Sequence, residues 1–354
     1  MARCLTVGGV TQDIILQPHQ LTTSHLWQAG AKIELDSIAY TIGGGAANSA
    51  VSLVNLGHTT ELVCVLGNDT AGKNSLQELK ERSVTVHAIF DNNEPTGTSF
   101  VIPTANHDRV IFSHHGANNH LSQSMFSNIP FHLYNCIYIA PLHDKALSIL
   151  PHITASIKNN ETSPSLIAVN PSTEQLRNST AFKASLHFID VLIINSEEMM
   201  QCAAHLYSKH SLSKGKGLII QGPDLAKKIL SYESTTFTLY ELCKELFSYG
   251  IKRIVITDGN KGAYVATKDT LYFHSALTVP LVNTLGAGDA FGSAFVSAMI
   301  DGKKTEDALR YGIINASCVI QHNGAQEGLL TKKQMEKQIA LIPQHLLQSY
   351  TWPY

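Results

Sequence analysis

The chain has 354 residues, 44% hydrophobic and 15% charged, with a formal net charge of −2. This is the balance of a folded globular protein and not of a disordered one; the length fits two domains or one large α/β domain with a core that needs no disulfides or structural metal. No dense run of Lys or Arg offers a footprint for nucleic acid or an anionic membrane, and no apolar run nears the roughly 20 residues that span a bilayer.

The first element is a strand at Cys4–Val7, ending at Gly8-Gly9. It begins almost at Met1 with no apolar leader, so a cytoplasmic location is expected. Small and apolar residues at helical spacing over Ala46–Leu56, closed by Gly57, predict a helix. Glu61–Leu66 predicts a strand and residues 71–82 a helix. Cys136–Ala140, Ser165–Val169, Val191–Ile194 and Arg253–Thr257 are short, rich in β-branched residues and bounded by turn signals, as buried parallel strands are.

Helical stretches between these strands imply right-handed βαβ units, hence a sheet covered on both faces. Residues 13–42 and 96–115 break the alternation: period-2 patterns such as Thr98–Ile102 and Arg109–Ser113 predict antiparallel strands in a small separate sheet. The expected division is a large domain of residues 1–12, 43–95 and 116–354, with 13–42 and 96–115 as a β lid over the crevice. Residues 208–235 fit neither pattern and are expected to be a surface insertion. Six cysteines without a C-x-x-C pair predict buried free thiols.

The segment with the clearest chemistry is Val282–Phe291, V-N-T-L-G-A-G-D-A-F, between a strand-like run and an apolar helix from about Ala290 to Ile300. Small residues at 286–288 let a ligand approach the backbone, and the first amides of a helix attract an anion. Asp289 in the first turn either favours the helix N-terminus electrostatically or is a base beside an anion hole. The second arrangement is what phosphoryl transfer to an alcohol needs.

Gly286-Ala287-Gly288-Asp289, preceded by Asn283-Thr284-Leu285, resembles the signature of the ribokinase-like (PfkB) family of carbohydrate and nucleoside kinases. Four further stretches resemble that family in its own order: Asp13 after the first strand, Gly43-Gly44-Gly45-Ala46-Ala47-Asn48, Asn195-Ser196-Glu197-Glu198, and Thr257-Asp258-Gly259-Asn260-Lys261-Gly262. The resemblance implies an α/β, ribokinase-like fold: a central, mostly parallel sheet flanked by helices on both faces, with a small β-sheet lid. It implies ATP and Mg²⁺ as cofactors and a sugar or nucleoside as partner.

By the same resemblance Asp289 is the base, with the amides of Gly286, Ala287 and Gly288 as the anion hole. Asp13, Gly44, Gly45 and Asn48 bind the acceptor. Asn195, Thr257, Gly259 and Gly262 contact the nucleotide, and Glu198 orients the metal.

On spacing alone, the Gly43–Gly45 run also reads as a tight turn, 195–198 as an acidic helix start, and 257–263 as a hairpin. Asn283 stands where the family commonly has Asp, in a loop that often helps bind a monovalent cation, so such an ion is a candidate cofactor without that carboxylate. Asn170-Pro171-Ser172 and Ile320–Gln326 resemble nucleoside-kinase relatives, and Ala140-Pro141-Leu142 stands where ribokinases carry an acceptor-binding Glu. Exposed lid edges suggest a homodimer. His114-His115 lacks metal-ligand spacing.

Two other classes fit less well. A non-catalytic nucleotide or sugar sensor would not need Asp289, and a dinucleotide oxidoreductase would carry a G-x-G-x-x-G fingerprint after the first strand.

Overall fold

The computed structural model describes residues 1–19, 29–30, 32–103, 109–158, 166–177, 179–207 and 215–352. Its largest element is a ten-stranded sheet in the order 347–351, 270–275, 262–266, 253–257, 191–195, 166–169, 136–139, 3–7, 59–67, 85–91. The seven strands from 253–257 to 85–91 run parallel. The remaining three are added antiparallel.

The continuous apolar runs of the central strands follow from burial on both faces. Leu5, Ile137, Leu192 and Ile194 enter one core, while Cys4, Cys136, Tyr138 and Ile193 enter the other. Five of the six cysteines are buried and all are free, as expected. Burial pushes their thiols up, Cys4 and Cys202 to about 12, so they are inert packing groups.

Two expectations change. The small sheet, in the order 35–43, 11–18, 97–103, 109–114, is mixed and not antiparallel: strands 11–18 and 97–103 pair in parallel. Its two outer pairs join strands consecutive in the chain and are antiparallel; the central pair is separated by residues 19–96, so no hairpin dictates its direction. The described part of the 208–235 segment is also no mere surface excursion. Leu225, Ala226 and Leu230 are buried in the core, and the Leu225 amide donates to Tyr264 Oη at 3.3 Å. Residues 208–214 lie outside the described residues. Among the described residues, no helix is long and apolar enough to cross a membrane.

At the amino end of the sheet, buried Glu61 accepts from Arg3 Nε at 2.6 Å and Tyr134 Oη at 2.9 Å, and pairs with His87 Nε2 at 2.6 Å. Burial alone would raise its carboxyl, but the bonds from His87, Arg3 and Tyr134 outweigh it and hold the group below the usual range. A depressed carboxylate adds stability above its unfolded pKa, and that stability is lost as pH falls through the folded value. Glu61→Gln is therefore expected to cost about 1–3 kcal/mol at neutral pH and to flatten the loss of stability below about pH 4.5. Urea midpoints at pH 7 and pH 4 check this; equal losses at both would remove the ionic contribution.

Candidate active site

The carboxyl ends of the parallel strands open toward the small sheet, which is where a sheet of this kind leaves its crevice. A cavity of about 210 Å³ lies there, lined by Gly9, Thr11, Asp13, Gly44, Gly45, Asn48, Ser99, Ser113, His115, Asn118, Pro141, Leu142, His143, Leu285, Gly286 and Asp289. It thus gathers Asp13, Gly44, Gly45, Asn48, Gly286 and Asp289 from three distant parts of the chain. Its lining has two carboxylates and no Lys or Arg.

Asp13 hangs from strand 11–18 and is buried. Its Oδ1 accepts from Thr11 Oγ1 at 2.9 Å. Burial pushes this carboxyl up to about 6, against the lowering effect of Thr11 and Ser99, with Asp289 and Glu327 adding to the rise. Gly43, the register partner of Thr11, lies against Asp13: a methyl group there would come within 2.5 Å of Asp13 Cγ and overlap an oxygen. Gly44 has φ 93°, and a methyl group there would meet Gly9 O at 2.5 Å. The glycines are thus set by close backbone approach.

Helix Ala287–Ile300 starts from Gly286 in the left-handed conformation, φ 73°. Asp289, in its first turn, receives Asn48 Nδ2 at 2.8 Å on Oδ2. Burial raises the Asp289 carboxyl above the usual range, opposed by that bond. A carboxylate so shifted is a better proton acceptor. Gly288 has nothing within 4 Å of where a Cβ would stand, so the helix start is open on that side. Of the three expected anion-hole amides, that of Ala287 lies 3.3 Å from Thr284 O, a long turn bond that an arriving anion would have to compete with.

Asn48 differs from its expected role as an acceptor contact alone. Its Nδ2 is bonded to Asp289, and its Oδ1 accepts from Gln326 Nε2 at 3.0 Å. One Nδ2 hydrogen remains for a substrate hydroxyl. His115 and His143, from separate loops, stack at 3.8 Å between centroids with planes 15° apart. Burial lowers both, His143 to about 4, so the pair is neutral at pH 7. The histidine stacking and the bond from Gln326 to Asn48 depend on distant segments meeting in space, whereas Ser99 and Ser113 reach the cavity as register partners in the small sheet.

The expected nucleotide and metal residues lie outside this cavity but on the same sheet edge. Asn195 and Thr257 are register neighbours at the ends of adjacent parallel strands. Asn195 and Glu198 form a reciprocal helix cap: Asn195 Oδ1 accepts from the Glu198 amide and Glu198 Oε2 from the Asn195 amide, each at 2.8 Å. Burial raises the Glu198 carboxyl. Gly259 is open, with nothing within 4 Å of a Cβ position, whereas a Cβ on Gly262 would strike the backbone of residues 274–276. Gly262 is thus required by the hairpin itself.

Among the described residues no group of three or more His, Cys, Asp or Glu could cage a metal. The set fits Mg²⁺ all the same, because that ion keeps most of its waters and takes one or two carboxylates plus phosphate oxygens; the Glu198 oxygen outside the cap is such a donor. The monovalent ion fits less well. Asn283 Oδ1 accepts from the Leu285 amide at 2.8 Å and its Nδ2 donates to Asn323 O at 2.6 Å, so an amide joins the two loops.

A profile of the pfkB family carbohydrate kinases matches residues 1–332. A ribokinase of Haemophilus influenzae is 22% identical over 336 residues, covering 94% of this chain and 97% of its own. In fold, the chain resembles a ribokinase of Thermotoga maritima, with TM-score 0.73, 18% identity, and 96% and 100% coverage of this chain and that one. It also resembles a nucleoside kinase of Methanocaldococcus jannaschii, with TM-score 0.72, 19% identity, and coverage of 97% and 99%.

Proposed function

This chain belongs to the pfkB family of carbohydrate kinases, and from that premise we propose that it transfers the γ-phosphoryl group of ATP to a primary hydroxyl of an uncharged monosaccharide. The observation that carries the acceptor class is the cavity. At about 210 Å³ it is smaller than the 300–1,000 Å³ of sites that enclose drug-sized ligands, which favours a single sugar ring over a nucleoside. Two carboxylates and a neutral histidine pair with no Lys or Arg disfavour a sugar phosphate. Residues 20–28 and 104–108, which border the small sheet in sequence, contain no Lys or Arg either.

In this reading Asp13 and the free Nδ2 hydrogen of Asn48 hold sugar hydroxyls. Asp289 takes the proton of the attacking hydroxyl as its oxygen bonds to the γ-phosphorus. The bond from that phosphorus to the β–γ bridging oxygen breaks, and ADP leaves. The amides of Gly286 and Gly288 face the transferring group, and that of Ala287 joins them by giving up its bond to Thr284 O. ATP lies along Asn195, Thr257 and Gly259, while Gly262 shapes their loop. Mg²⁺, held through water by Glu198, would neutralise phosphate charge. The small sheet acts as a lid that limits water access.

The test is ATP turnover with neutral sugars, sugar phosphates and nucleosides. Stimulation by a neutral sugar is expected. Preference for a phosphorylated sugar or a nucleoside would overturn the acceptor class, and binding without turnover across the panel would favour a sensor.

A homodimer through the lid has its own support. Ile38, Tyr40, Phe100 and Phe112 are exposed on the small sheet, with Tyr40 and Phe100 both in register with Ile14, and Phe100 with Phe112. A contiguous apolar sheet face of this kind marks an interaction surface. Tyr40→Lys with Phe100→Lys is expected to halve the mass seen by light scattering. A parent protein that is already monomeric at micromolar concentration would refute the dimer.

A further inference from the structure

We propose that Gln326 is a positioning residue for the reaction: by bonding to Asn48 it decides which end of the Asn48 amide meets the Asp289 carboxylate. The inference rests on the reading of Asp289 as the base. Gln326 Nε2 donates to Asn48 Oδ1 at 3.0 Å, and Asn48 Nδ2 donates to Asp289 Oδ2 at 2.8 Å. An amide has one donor end and one acceptor end. With Oδ1 bonded to Gln326 Nε2, the NH₂ faces Asp289, where it favours the charged carboxylate. Turned over, Asn48 would present its carbonyl, which only a protonated Asp289 could bond. The protonated acid is the wrong state for a base.

Gln326 is 5% exposed, and the bond to Asn48 is the one its side chain makes among the described residues, since its Oε1 finds no partner there. Burying an amide with its oxygen unpaired is costly, so the residue is poorly explained as core filling. Its loop is also fixed to the helix start. The Val282 and Asn283 amides both donate to Ile320 O, at 2.9 and 3.1 Å, and Asn283 Nδ2 donates to Asn323 O at 2.6 Å. Ala325 O lies 2.6 Å from where a Cβ on Gly286 would stand. Gln326 is thus held in place relative to both the anion hole and Asn48.

The other titratable groups around Asp289 are Asp13 on the lid, Tyr138 on the strand beneath, and His115 and His143 across the cavity, with Glu327 beside Gln326. None of them is altered by Gln326→Met, which keeps length and removes the donor.

The experiment follows the Asp289 carboxyl by ¹³C shift against pH in the full chain, the signal being assigned by its loss in Asp289→Asn. In Gln326→Met it is expected to titrate about one unit higher, the scale of one hydrogen bond to the charged form. In an Asn48→Leu background the same substitution should move nothing. With ribose or the best panel sugar as acceptor, kcat should fall about tenfold while KM for ATP holds.

An unmoved titration, or an equal shift in the Asn48→Leu background, overturns the proposal even if the melting temperature drops. If Gln326→Met does not fold, Gln326→Glu is read in the same way, its shift in the Asn48→Leu background measuring its charge alone. If Asp289→Asn turns over normally while the titration still moves, the base reading fails and the orienting role stands.

Discussion

Asp289→Asn is expected to lower kcat by about 10²–10⁴ while leaving the melting temperature and ATP binding nearly unchanged. Asn is isosteric and can still accept through its oxygen the bond that Asn48 Nδ2 donates at 2.8 Å, so the local geometry is kept and only basicity is lost. The parent enzyme should lose kcat/KM as pH falls, because in the proposed roles both carboxylates of the cavity work in their charged form. Burial raises both, Asp13 to about 6 and Asp289 above its usual range. In those roles each would act above its raised pKa and not below it.

The two face one cavity and influence each other, so the acid limb reports the pair and not either residue. Asp13→Asn should weaken acceptor binding and change the shape of that limb. Stopped-flow or steady-state rates from pH 4.5 to 8 decide the matter. A kcat for Asp289→Asn within a few-fold of the parent would remove Asp289 from the role of base.

How far the sequence speaks to the site depends on whether a function imposes a local pattern. The start of helix Ala287–Ile300 does: a left-handed turn that opens a helix calls for glycine, and Gly286 takes it at φ 73°. The central strands are equally legible, because burial on both faces demands unbroken apolar runs. Strand Thr85–Asp91 was not, since it lies at the sheet edge with alternate residues in solvent and has no such run.

Residues 195–198 carry a pattern with two meanings. The helix-cap meaning is realised in the hydrogen bonds, while a metal role would need an additional oxygen. The wall formed by His115 and His143, and the link from Gln326 to Asn48, follow from the meeting of loops far apart in the chain. The parallel pairing at the centre of the small sheet is of the same kind, fixed by topology and not by any local preference.

Gly43→Ala should be nearly as damaging to acceptor use as the loss of Asp13 itself, although the substitution adds one methyl group. That methyl would come within 2.5 Å of Asp13 Cγ, and the pairing of strands 11–18 and 35–43 holds Thr11 in register with Gly43. The carboxylate must therefore swing away, or the two strands must part. Swinging away gives up its bond to Thr11 Oγ1 at 2.9 Å and its aim into the cavity.

Hydrogen bonds to a charged group are worth about 1.5–3 kcal/mol, so acceptor KM should rise by about 10- to 100-fold. KM for ATP should stay put, because Asn195, Thr257 and Gly259, the proposed nucleotide contacts, are on strands of the other sheet or in loops attached to it. Comparison with Asp13→Ala separates this account from general damage to the small sheet. If Gly43 acts by leaving room for Asp13, the double variant binds the acceptor no worse than Asp13→Ala alone, since the methyl then has nothing to displace. Additive losses in the double variant would mean that Gly43 shapes the small sheet in some other way, and Asp13 would no longer explain the glycine.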